Sequence, residues 1–166
     1  MRERAGRCCE YCGISEIDSG GLLTVDHVRP SSEAGTDTAD NLAYACHRCN
    51  EYKGAYWPKV DADFPLWNPR LDSREEHFIR LMDGVLLPLS PMAAWTVQRL
   101  RLNRPALVQH RIRQQAQLDR DRHLHYYQDT LGLLSELLGQ QERLQREQAG
   151  LLQEFRRLLL VLEASN

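Results

Sequence analysis

The sequence predicts an α+β domain stapled by a four-cysteine metal site and continued by a helical extension. Three observations predict it. Two Cys-x-x-Cys pairs, Cys9/Cys12 and Cys46/Cys49, enclose the segment from Gly13 to Ala45. Short strand and helix signals alternate from Leu22 to about Leu102. Beyond Pro105 the chain holds no proline and only three glycines, among many Gln, Arg, Leu and Glu residues, which is helical composition.

A Cys-x-x-Cys turn sets two thiolates on one side of a tight knuckle, and two facing knuckles make the four sulfurs of a tetrahedral zinc site. Such a site is structural, because four sulfur ligands leave no position open for substrate. The gap between the pairs exceeds the roughly 15–20 residues of a simple zinc ribbon, so something else is built between the knuckles. The fifth cysteine, Cys8, lacks knuckle spacing and reads as a bystander beside Cys9.

The elements follow in order. Arg2 to Gly6 reads as a last helical turn stopped by Gly6. Ser19-Gly20-Gly21 marks a turn, and Leu22-Leu23-Thr24-Val25 reads as a strand that delivers Asp26 and His27. Asp40 is expected to cap a brief helical turn from Leu42 to Ala45, followed by a helix from His47 to Tyr56 that Trp57-Pro58 stops. From Asp61 to Asp72 the prolines indicate an extended wrap pinned by Phe64, Leu66 and Trp67. Asp83-Gly84 signals a two-residue hairpin between residues 76–81 and 85–87. Ser90-Pro91 opens a helix as N-cap and first residue, with Trp95 read as core or as a base-stacking platform.

In the tail, Leu137, Leu144, Leu151 and Leu158 recur every seven residues, with Phe155 and Leu162 on the interleaved row. Two arrangements satisfy this pattern: an antiparallel helical hairpin of 106–131 against 133–162, or a two-chain coiled coil. The expected division is 1–70, 71–105 and 106–166.

Composition sets bounds. At 166 residues, 42% hydrophobic and 27% charged, the chain fits one compact domain with an extension, or two small ones. A core drawn from residues 1–70 alone is marginal without a metal, so metal binding contributes to folding. The absence of an apolar leader after Met1 and of any apolar run near 18 residues points to a cytoplasmic protein with free thiols and no membrane contact. A net charge of −2 is not the footprint of a nucleic-acid binder taken whole. Between Arg99 and Arg113, however, Arg99, Arg101, Arg104, Arg111 and Arg113 occur with no acid, making this run the best basic surface available.

The segment between and around the knuckles resembles the HNH endonuclease family. The likeness rests on Asp26-His27, on the run from Gly35 to Leu42 with its Asn41, and on Cys49-Asn-x-x-Lys-Gly54. It is close over about residues 4–70 and continues more loosely to about residue 113. The resemblance implies a ββα-metal fold and hydrolysis of DNA phosphodiester bonds with one divalent cation, Mg²⁺ or Mn²⁺, in addition to structural Zn²⁺. Hydrolysis needs a water activated in line and positive charge where the transition state becomes anionic. By resemblance, His27 is the general base, and Asp26 and Asn50 supply oxygen ligands to the catalytic cation. Asn41 would orient His27 through Nδ1–H so that Nε2 faces the water, and Lys53 is a candidate phosphate contact. Partners would be DNA and, through the C-terminal helices, a second copy or another protein. The alternative is a non-catalytic, zinc-dependent DNA-binding or adaptor module with a helical oligomerisation tail.

Overall fold

A computed structural model describes residues 1–60 and 63–164, with side chains for all of these but 159 and 161–164. Asp61, where the expected wrap begins, and the side chain of Leu162 lie outside the described residues. The chain divides into two units, Met1–Gln115 and Ala116–Asn166.

In the first unit a short helix α1 (Glu16–Ser19) precedes strand β1 (Thr24–His27), and a 3-10 turn (Ser31–Glu33) leads on to strand β2 (Leu42–Ala45). The two strands pair antiparallel, Thr24 opposite Ala45 and His27 opposite Leu42. Helix α2 (His47–Lys53) follows directly, so strand, strand and helix form one continuous small motif. β2 corrects the expected helical turn over 42–45. All four of its residues are buried, and pairing with a strand distant in sequence outweighs the helical preference of its two alanines. α2 also ends sooner than expected. Gly54, at φ 55, stops it three residues before Trp57.

Helix α3 (Arg74–His77) then opens the second hairpin, β3 (Phe78–Arg80) paired with β4 (Leu86–Pro88) around Asp83-Gly84. Helix α4 (Pro91–Arg99) starts where Ser90 Oγ accepts the Ala93 N–H, with Pro91 as its first residue. Trp67 is buried edge-to-face on Phe78 at 5.3 Å, and its backbone N–H donates to Thr96 Oγ1 at 2.8 Å. Phe64 does not join this packing. Its ring is exposed, and its carbonyl accepts from Tyr56 OH instead. Trp95 packs on Tyr56, ring centroids 5.7 Å apart.

Helix α5 runs unbroken over Pro105–Ala164, which replaces the expected helical hairpin. Gly132 lies between the two helices of that hairpin, but a glycine inside a helix costs only about 1 kcal/mol relative to alanine, and its neighbours are strong helix formers. In the second unit Leu137, Leu144, Leu151 and Leu158 are all exposed. Among the described residues no helix is long and apolar enough to cross a membrane.

Candidate active site and metal centre

The two knuckles meet. Cys9, Cys12, Cys46 and Cys49 are each buried, and their sulfurs all lie within 4.8 Å of one another. Cys12 and Cys46 approach to 3.7 Å between sulfurs. A Zn–S bond of about 2.3 Å sets tetrahedral sulfurs about 3.8 Å apart, so this donor set could hold zinc. Cys46 is also the N-cap of α2, accepting the Cys49 N–H at 3.4 Å. Cys8 stands outside the cluster, and burial, then Asp18, pushes its thiol pKa up.

Arginines surround this cluster. Arg104 Nη2 lies 4.0 Å from Cys46 Sγ. Burial works against its charge, yet Cys49, Cys12 and Cys46 hold its pKa above the ordinary arginine value. Arg111 is buried, donating to the carbonyls of Gly84 and Leu102, and burial followed by repulsion from Arg74 brings it down to about 10. The expected basic surface is therefore divided. Arg111 faces the interior and Arg104 answers thiolates. Arg99 lies over the Tyr56 ring and donates to Lys53 O, while Arg101 lies over Tyr52. Only Arg101 and Arg113 of the five are exposed.

β1 places Asp26 and His27 on a cleft of about 270 Å³ that α2 closes with Asn50 and Lys53. Asp26 is 6% exposed. Its Oδ2 accepts from Tyr11 OH at 2.8 Å and its Oδ1 from Lys53 Nζ at 3.1 Å. Burial pushes this carboxyl up, opposed by Lys53 and Tyr11. Asn50 donates its amide to Thr24 Oγ1 at 3.3 Å. Asp26 and Asn50 thus bring a carboxylate and an amide oxygen to one open cleft. Two such donors suit a hard cation that keeps much of its water.

Three side chains depart from expectation. Lys53, expected on a phosphate, is 1% exposed, and its ammonium is spent on Asp26, on His27 O at 2.6 Å and on Gly54 O. Asn41 does not touch His27. Its Oδ1 accepts from Arg29 N, and its Nδ2 donates to Arg29 O and Thr36 O. His27 Nε2, expected to face water, meets Asp37 Oδ1 at 2.6 Å. Asp37 carried no motif signal beyond its place in the run from Gly35 to Leu42.

These placements change what a Lys53 substitution should do. Lys53→Met leaves the Asp26 carboxylate buried without a counter-charge, which should cost about 3–5 kcal/mol of stability in a urea titration. A variant as stable as wild type, with weakened DNA binding, would return Lys53 to the phosphate.

The comparisons with known proteins bear on this motif. The HNH endonuclease family description matches residues 9–55. These residues are an HNH endonuclease domain. Over 56 residues the chain is 41% identical to a protein named CRISPR-associated endonuclease Cas9 from Corynebacterium diphtheriae. That match covers 31% of this chain and 5% of the relative's length. No solved structure matches. The matched residues enclose both knuckles, Asp26, His27, Asn41 and Asn50.

Proposed function

We propose that this chain is a cytoplasmic, metal-dependent endonuclease that hydrolyses DNA phosphodiester bonds. The observation that carries the reading is the convergence of Asp26, His27 and Asn50 on one cleft inside the HNH domain. His27, 32% exposed at the side chain, takes the proton of the attacking water. Its Nε2 is engaged by Asp37, so Nδ1 is the nitrogen left to act, reversing the tautomer expected from the sequence. Asp26 and Asn50 hold Mg²⁺ or Mn²⁺, which when bound neutralises charge developing on the phosphate. Lys53 gives the buried Asp26 its counter-charge and holds its Oδ1. Of the five arginines between 99 and 113, the exposed Arg101 and Arg113 meet the DNA backbone. The four cysteines hold one Zn²⁺ that ties β2 and α2 to the first knuckle.

The test is cleavage of supercoiled plasmid by the purified full chain with Mg²⁺ or Mn²⁺, with and without a chelator too weak to strip a tetrathiolate zinc. Cleavage that appears with the added cation and stops with the chelator is expected. Protein that holds zinc and binds DNA but never cuts would make the chain a binding module.

A further inference from the structure

His27 is engaged by a loop whose shape two separate features enforce. After β1 the chain turns away at Pro30 and comes back so tightly that a Cβ on Gly35 would lie 1.8 Å from Arg29 O and 2.8 Å from Pro30 O. No other residue fits there. Asn41 then clamps the loop, because its one amide group bonds Arg29 N, Arg29 O and Thr36 O at 2.8–3.0 Å. Arg29 is two residues after His27, and Thr36 is one before Asp37. The clamp therefore joins the strand that delivers the imidazole to the segment that delivers the carboxylate. Arg29 is itself fixed, donating Nε to Glu33 O and lying over the Trp57 ring at 5.2 Å.

We propose that Asp37, presented by this loop, is the positioning residue of His27. The inference rests on the reading of His27 as the base. An ionised carboxylate only accepts, so Asp37 fixes the proton on Nε2, leaves the lone pair on Nδ1 and restrains the ring's rotation. Asp37 is 89% exposed at its side chain. An ion pair so open to solvent contributes little to stability. Its effect belongs in the orientation of the imidazole, not in holding the fold.

The experiment compares wild type, Asp37→Ala and Asp37→Glu as full-length zinc-loaded protein, by plasmid cleavage and by long-range ¹⁵N–¹H correlation of the histidine rings. The His27 signal is assigned by its absence from His27→Ala. With the ring neutral, wild-type His27 should show one tautomer with the proton on Nε2. Asp37→Ala should show averaged tautomers at an unchanged melting temperature. Its kcat should fall about tenfold to a hundredfold with KM and metal dependence preserved, since misplacing a reacting group costs up to about 10² in rate. Asp37→Glu should recover part of both signals. An unchanged tautomer, or an unchanged kcat in Asp37→Ala, overturns the proposal. A tautomer change on Asp37→Ala, when the wild-type protein itself never cuts, overturns instead the nuclease reading, and with it the catalytic part of Asp37, leaving a contact that only shapes a loop.

Discussion

His27→Ala should keep its zinc, its fold and its DNA affinity while cleavage falls by about 10²–10⁴, the usual cost of removing a general base. The structure explains why the fold should survive. The imidazole is partly exposed and its one described partner is the exposed Asp37, while the backbone carbonyl of residue 27, which accepts from Lys53, remains in the variant. The neighbouring Asp26 needs different handling. Asp26→Ala would strand Lys53 in the interior and lose the Tyr11 bond, so lost activity would be confounded with lost stability. Asp26→Asn keeps the shape and hydrogen-bond acceptors for Tyr11 and Lys53 but still removes the counter-charge of Lys53, so its melting temperature is measured beside its activity. It should shift the metal dependence to higher Mg²⁺ or Mn²⁺, with part of the rate recovered at excess metal. Undiminished cutting by His27→Ala would assign the activity to another site or to a contaminant.

Much of the first unit was legible because its signals are local. The cysteine pairs, the strand ending in Asp26-His27, the hairpin at Asp83-Gly84 and the Ser90-Pro91 helix start each fit within a few residues and form, although the hairpin closes on three residues, Met82 to Gly84, rather than two. What failed depends on partners far away in sequence. Leu42–Ala45 pairs with a strand about 18 residues upstream, a fact its own four residues do not encode. Lys53 read as a phosphate contact because Asp26, its counter-ion, lies 27 residues away. Arg104 and Arg111 looked like a basic surface because the thiolates and carbonyls they answer come from Cys46, Gly84 and Leu102. The Asp37 contact was hidden for a related reason. It is set by how tightly the loop folds, which Gly35 and Asn41 decide together. In the tail the unbroken helix contradicts the hairpin of 106–131 against 133–162 and is compatible with the two-chain coiled coil, because the helix formers around Gly132 carry the helix through it.

Cys46→Ala should lose both the metal and the fold around it. Cys46 does three things at once: it supplies one of the four clustered sulfurs, caps α2 through the Cys49 N–H, and lies against Arg104. The remaining three sulfurs could still meet a cation, but the knuckle that ties β2 and α2 to residues 9–12 would be broken. Structural zinc binding in small domains is worth an apparent 10–16 kcal/mol or so, comparable to or larger than the roughly 5–15 kcal/mol net stability of a whole domain. Loss of the site should therefore unfold the unit rather than loosen it. The chain's three tryptophans, Trp57, Trp67 and Trp95, all fall within Met1–Gln115, so intrinsic fluorescence reports on this unit and not on the tail. Wild type should carry one zinc per chain by elemental analysis, with the emission of the buried Trp67 shifted to the blue. Cys46→Ala should carry little or none, with all three tryptophans emitting as in urea. Cys8→Ser is the control, because Cys8 lies outside the cluster and should keep both zinc and fold. Wild-type protein that folds cooperatively without zinc, or a Cys46→Ala variant with native fluorescence, would show that the four thiols pack as an ordinary apolar cluster.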